Sequence, residues 1–183
     1  MKVNLDTLKL GLMGLTKEFG NFLHQACSVC LDNQKHQSGV KMNLKTSKLE
    51  KSIQLIWNSE INSQILRNWN DLQEATEYAA TGIAIKLAEL ESDSTCIERS
   101  SKGSGFDYWL GEEVETGLFQ KKEVLEISGI LQESPSNSLK SRISSKKKQI
   151  TNALKLHHKA HVCVIEFANP KGEYLKYDCQ ETT

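Results

Sequence analysis

Hydrophobic positions recur along the chain at two spacings, and the switches between them mark its elements. From residue 5 to about residue 30, Leu8, Leu12, Leu15, Phe19, Phe22 and Ala26 fall three or four apart, the stripe of an amphipathic helix. Gly11, Gly14 and Gly20 weaken that helix locally and allow one break. NQKHQSG reads as a turn. Val40, Met42 and Leu44 then alternate with polar residues, as do Ile53, Leu55 and Trp57, which predicts two strands joined near KTSKLEK. Ser59 is a candidate cap for a helix carrying Ile61, Ile65, Leu66 and Trp69 on one face.

Asp71 caps the next predicted helix, DLQEATEYAATGIAIKLAELE. Leu72, Ala75, Ala79, Ile83, Leu87 and Leu90 form one apolar face, and Ala80, Ala84 and Ala88 a second, so the helix is enclosed on much of its circumference. Glu77 aligns with the small-residue face, an odd place for an acid. It is either a rim residue favoured by the helix dipole or part of a site, with Glu74 the alternative if the helix is rotated. CIERS predicts a short strand and SKGSG a turn. Two strands follow, FDYWLG and EVLEISG, separated by a polar connection of about ten residues. SPSNS is a loop, and SLKSRISSKKKQITNALKLHHK a helix with Ile143, Ile150, Ala153 and Leu154 inward. AHVCVIEFANP is apolar enough to be a central strand; NPKG turns the chain into EYLKYDCQETT, an edge strand or tail.

This order predicts an α+β fold in a single domain spanning 1–183. Residues 1–70 form a helix-hairpin-helix extension, 71–168 the core, and 169–183 the tail or edge strand. The length suffices for one sizeable core. Lys plus Arg and Asp plus Glu number 23 each, so global charge gives no guide to partners. No run approaches the ~18 apolar residues of a membrane span, and Asp6, Lys9 and Lys17 interrupt the start, making it a poor signal peptide. A cytoplasmic protein without a membrane partner is expected. Five cysteines, an odd number, argue for reduced thiols, with Cys163 in the core. His24, Cys27, Cys30 and His36 are suitable zinc ligands by type, but a helix spreads residues 24–30 around its surface and no second CxxC exists. Buried free cysteines are the favoured reading.

Candidate chemistry centres on Asp107 and Glu126, one acid in each strand of 103–130. Alternation puts Asp107 with Trp109 on one face, and Val124, Glu126 and Ser128 on one face of the next strand. A carboxylate in a strand built for burial is costly unless it is paired, hydrogen-bonded or holds a cation. Two on consecutive strands point to a metal site.

The order helix, three strands, helix, strand over 71–168, with Glu77 on the helix, Asp107 in GFDYWL and Glu126 in LEIS, resembles the core of the PD-(D/E)xK, or restriction-endonuclease-like, nuclease superfamily. The resemblance implies an α-β-β-β-α-β core. It also implies Mg²⁺ held by Asp107 and Glu126, Glu77 as a third acid, and phosphodiester hydrolysis. Where that superfamily carries its Lys, two residues after the Glu, this chain has Ser128; Lys146 or Lys148 on the following helix is the candidate replacement. A degenerate member that binds nucleic acid without cleaving it is equally in keeping with Ser128. ATEYAATGIAI, ERSSKGSGFDYWLG and LEISGI also look like blocks of a bacterial family of unassigned activity, loosely associated with mobile elements and phage defence.

From Ser134 through Ile165 there is no Asp or Glu, whereas Lys140, Arg142, Lys146, Lys147, Lys148, Lys155 and Lys159 occur with His157, His158 and His161. That segregation favours phosphate contacts, without base reading; the alternative is a solvated helix face. No GxSxG, Walker loop or HExxH is present. The leading expectation is a Mg²⁺-dependent nuclease or its nucleic-acid-binding descendant. The rival is a non-enzymatic interaction subunit or immunity-type partner whose acids are structural.

Overall fold

Where polar and apolar residues alternate, the computed structural model, which describes residues 1–58, 61–156 and 158–178, has strands. β1 (Lys2–Asn4) precedes two short 3-10 turns and α1 (Lys17–Asn33). β2 (Lys41–Thr46) and β3 (Glu50–Ile56) form the predicted hairpin, with Met42 opposite Ile53. α2 (Ser63–Asn68), α3 (Leu72–Glu91), β4 (Cys96–Arg99), β5 (Tyr108–Glu113) and β6 (Phe119–Ile130) follow. α4 (Leu139–Gln149), α5 (Thr151–Lys155), β7 (Lys159–Glu166) and β8 (Lys171–Tyr177) complete the order. All eight strands join one mixed sheet, β1-β3-β2-β8-β7-β6-β5-β4, so the protein is a mixed α/β structure consistent with the expected α+β class. β4 and β6 each run antiparallel to β5 between them, whereas β7 runs parallel to β6 after the α4–α5 crossover.

Each sheet face has its own core. α1 and α3 share one with Met42, Leu44, Ile53, Leu55, Leu125, Ile127, Cys163 and Tyr174. α4 and α5 cover the other, where Leu139, Ile150 and Ala153 meet Val124, Val162 and Val164. α3 is enclosed as expected, with buried residues from Ala75 to Ala88, although Leu90 near its end is exposed. Gly129 on β6 lets α3 sit directly on the sheet: a Cβ there would lie 2.4 Å from the backbone oxygen of Thr76.

Several boundaries differ from the sequence expectation. The first helix begins only at Lys17, because the chain turns through Gly11 and Gly14 at φ 75° and 76°. Thr16 caps it through Phe19 N–H. Ser59 lies outside the described residues, and Asn62 caps α2 instead, its Oδ1 accepting from Gln64 and Ile65 N–H. Leu66 on that helix is half exposed, while Trp69 is buried. The predicted helix after SPSNS breaks at Ile150 into α4 and α5.

Two corrections concern the sheet. The polar connection of about ten residues is a tight turn at 114–118, with Gly117 at φ 75°. Strands β5 and β6 continue into charged sequence because exposed cross-strand pairs, such as Lys122 with Glu112 at 2.8 Å, suit a solvated ribbon. The last strand is no edge: β8 lies between β2, to which it is parallel, and β7, to which it is antiparallel. It closes the sheet between the N-terminal hairpin and the later strands. Residues 179–183 of the predicted tail lie outside the described residues.

Replacing Gly129 by Ala should force α3 off β6 and destabilise the protein by about 1–3 kcal/mol, the usual cost of overpacking. Urea denaturation of the variant beside the wild type measures it, and an unchanged midpoint would contradict this packing.

Candidate functional site

β6 outruns β5. The ladder between them ends with Tyr108 opposite Leu125, while Ile127 to Ile130 continue with only β7 beside them. Asp107 stands at the fork, one residue before β5. Its N–H donates to Leu125 O, and its Oδ2 accepts from Ile127 N–H at 2.8 Å, replacing a backbone carbonyl in the ladder. The carboxylate therefore turns along the edge of β6 and does not stand squarely on a strand face, because Asp107 precedes the regular strand.

Glu126 is the cross-strand neighbour of Asp107 if the register is carried one step further. Its side chain points to the α4 face and is buried, 3% exposed. Lys146, from the second half of α4, reaches in and donates to Glu126 Oε1 at 2.5 Å. Burial and then the adjoining Asp107 push the Glu126 carboxyl up, and with the Lys146 ammonium offsetting part of this it stands at about 7. One α-helical turn earlier, Arg142 donates from Nη1 to Ser128 Oγ at 3.3 Å and from Nε to Asn137 Oδ1 at 2.7 Å. Arg142 and Lys146 are four apart and so share a helix face.

Asp107, Ser128, Asn137, Arg142 and Lys146 line a pocket of about 590 Å³ at the fork, and Glu126 is buried behind that lining. Asp107, Tyr108 and Ile127–Leu131 lie along the strands; Thr76 and Glu77 come from α3, Arg142 and Lys146 from α4, and Arg99 from β4. Burial pushes the Tyr108 phenol up to about 12, the more so beside Asp107 and only partly offset by Arg99. It remains a hydrogen-bond donor across the physiological range.

The expected site residues are thus partly assembled. Asp107 and Glu126 meet. Glu77 is exposed and lines the same pocket. Among the described residues, no three His, Cys, Asp or Glu side chains gather as a metal-holding group. Lys148 is exposed and absent from the pocket lining, a correction to its catalytic assignment: two residues from Lys146 is about 200° around a helix. The basic set divides the same way. Arg142 and Lys146 face the pocket, while Lys140, Lys147 and Lys148 are exposed, with Lys147 Nζ 5.0 Å from the Tyr177 ring. His157 lies outside the described residues. Arg99 and Asn137 were not anticipated; only the β4–β5 register and the fold of the loop before α4 bring them in.

The zinc alternative does not assemble. Cys27 and Cys30 are buried, with burial pushing the Cys30 thiol to about 12 and the Cys27 thiol higher still. His24 bonds Asp6 and His36 bonds Phe167 O.

Comparison with protein-family models, with curated proteins and with solved structures finds no match to this chain. No described helix is long and apolar enough to cross a membrane.

Glu126 makes a signed prediction. Its folded-state pKa is raised, so the stability it lends is present in full below about pH 4.5, declines as pH rises, and is gone above about pH 7. Glu126→Gln should therefore match or exceed the wild type in thermal stability at pH 8 without metal and flatten the pH dependence between 5 and 7. A loss of about 1–3 kcal/mol at pH 8 would instead mark Glu126 as a structural partner of Lys146.

Proposed function

We propose that this chain is a divalent-metal-dependent nuclease of restriction-endonuclease-like type, with Asp107 and Glu126 as the metal's carboxylates. The observation that carries the reading is the close pair of acids at the β5–β6 fork, with Lys146 of α4 bonded to one of them. The element order from α3 to β7 is also the order of that nuclease core. Buried thiols at Cys27, Cys30 and Cys163 accord with a reducing, cytoplasmic setting.

The donor set suits Mg²⁺. Asp107 Oδ2 accepts from Ile127 N–H and Glu126 Oε1 from Lys146, and the two carboxyls face each other, so a cation would take the place of their mutual contact. Mg²⁺ is commonly held by one or two carboxylates with water and substrate phosphate completing its shell, so a third protein acid is not required. The raised Glu126 pKa reflects negative charge that a cation would relieve. When bound, Mg²⁺ would polarise the scissile phosphate and acidify a water.

The protein's own groups supply the rest. Asp107 is fixed by the backbone of β6 and holds its other oxygen in one place. Glu126 retains a proton near neutrality until a cation displaces it. Lys146 provides, from α4, the positive charge that the nuclease superfamily places where Ser128 stands. It can orient a water and offset phosphate charge within reach of Glu126. Lys140, Lys147 and Lys148, exposed on α4, can track the flanking strand.

A second reading has its own observation. Both acids already have partners within the protein, Lys146 and Ile127 N–H, as a structural pair would in an interaction subunit or in a degenerate, non-cleaving member.

Magnesium titration separates the readings. Near pH 7 in weak buffer, Mg²⁺ should release protons from the wild type as Glu126 ionises, and Glu126→Gln should release none. Cleavage of a labelled oligonucleotide should fall at least about a hundredfold in Asp107→Asn and about 10–100-fold in Lys146→Ala. Absence of both proton release and cleavage, with lower melting temperatures for Asp107→Asn and Glu126→Gln, would favour the interaction subunit.

A further inference from the structure

We infer that Arg142 receives a phosphate of the substrate, and that the pocket takes an unpaired strand of nucleic acid in preference to intact duplex. The inference rests on the nuclease reading of the same pocket and adds the form of the substrate and the group that holds it.

The two α4 cations entering the site differ in what engages them. Lys146 is engaged by an acid, Glu126. Arg142 is oriented by neutral partners, Asn137 and Ser128, and among the described residues it has no ion pair. A guanidinium offers five N–H donors in a rigid fork. Two are engaged in holding the plane, which leaves three and the whole positive charge available to an anion. A phosphate oxygen pair matches that fork, whereas an ammonium offers only a point charge. Ser128 thus has a definite part: a hydroxyl at this position anchors the arginine.

Shape decides between strand forms. The pocket, about 590 Å³, lies at the β5–β6 fork and is walled by α3 on one sheet face and α4 on the other. That volume is in the range of small-ligand sites. A duplex presents its backbone beside grooves about 6 and 12 Å wide, and both strands would have to pass between the helices. A single strand can enter one nucleotide at a time, as in enzymes that act on unpaired or flipped bases. The lining suits it. Half-buried Tyr78 provides aromatic surface, and exposed Gln73 and Gln132 provide neutral hydrogen-bonding groups.

The test is binding of a short fluorescent oligonucleotide, as single-stranded DNA and RNA, against the same DNA sequence closed into a blunt hairpin duplex, in metal-free buffer. The wild type should bind a single strand about tenfold more tightly than the hairpin. Arg142→Ala should weaken single-strand binding about tenfold, and Arg142→Lys should restore it only in part. The double change Ser128→Ala with Asn137→Ala, which leaves the guanidinium but frees it, should fall between. Lys148→Ala should weaken single strand and hairpin alike and shallow the salt dependence, leaving the preference between them unchanged. Arg142→Ala that melts as a folded protein and binds like the wild type would overturn the inference, as would equal or tighter binding of the hairpin or no binding of any strand. If Arg142→Ala does not fold, the double variant decides in its place: wild-type binding by that variant would overturn the inference equally. Loss of magnesium-linked proton release with Arg142-dependent single-strand binding intact would overturn the nuclease and leave a binding pocket. Proton release with binding indifferent to Arg142 would do the reverse.

Discussion

The charge on Glu126 is the constraint on which the arrangement of the site depends. α4 has little apolar surface: Leu139 is its only buried residue, with Ile143 partly buried against the core. Polar contacts therefore set its place on the sheet. Lys146 binds Glu126, Arg142 binds Ser128, and Glu133, paired with Lys171, accepts from the Leu139 N–H at the start of the helix. A helix held in this way is sensitive to the ionisation of its anchor. Glu126 is buried beside Asp107, so its carboxylate persists near neutral pH only with help from Lys146 or a cation. The same desolvation that costs stability is what makes the acid pair receptive to positive charge.

Glu123, three residues earlier on β6 and only partly buried, shows the opposite state on the same strand. Odd parity places it on the opposite sheet face, where His161 bonds it at 2.5 Å and draws its pKa below the ordinary value. Its neighbours there are the Tyr174 ring and the large core beneath α3. Two glutamates on one strand thus carry opposite shifts: Glu123 has a dedicated partner, and Glu126 shares its surroundings with another acid. The first has the character of a structural pair. The second has that of a site, since perturbed carboxylates at a pocket are where acid-base and metal chemistry is found.

The fork between β5 and β6 gives this chemistry its room. A sheet continuous to the end of β6 would have filled the space with paired backbone, and a larger residue than Gly129 would have pushed α3 away. Asp107 both ends the β5 ladder and lines the opening, so the residue that stops the sheet also faces the pocket. Arg99, at the end of β4, and Tyr108, at the start of β5, enter opposite each other, and α4 brings Arg142 and Lys146 from the other face. Five elements contribute, α3, β4, β5, β6 and α4, and none carries the site alone.

The alternation of Met42 and Leu44 with Ile53 and Leu55, the enclosed alanine faces of α3, and the apolar run of β7 were legible in the sequence, because side-chain periodicity follows directly from backbone geometry. Asp107 and Glu126 were legible as misfits, polar residues in strands otherwise built for burial. The pairing of the chain's two ends was not: β8 looked peripheral because a short, half-polar strand reads alike at an edge or beside another exposed ribbon, and only its partners β2 and β7 decide. Nor could sequence choose between Lys146 and Lys148, which differ by less than one helical turn. Their roles are set by how α4 is rotated against β6, and a helix with so few buried residues leaves almost no periodic trace of that rotation. Local pattern determined the elements and the suspect acids; tertiary contacts decided which cations meet them, because those contacts join residues that the chain itself keeps far apart.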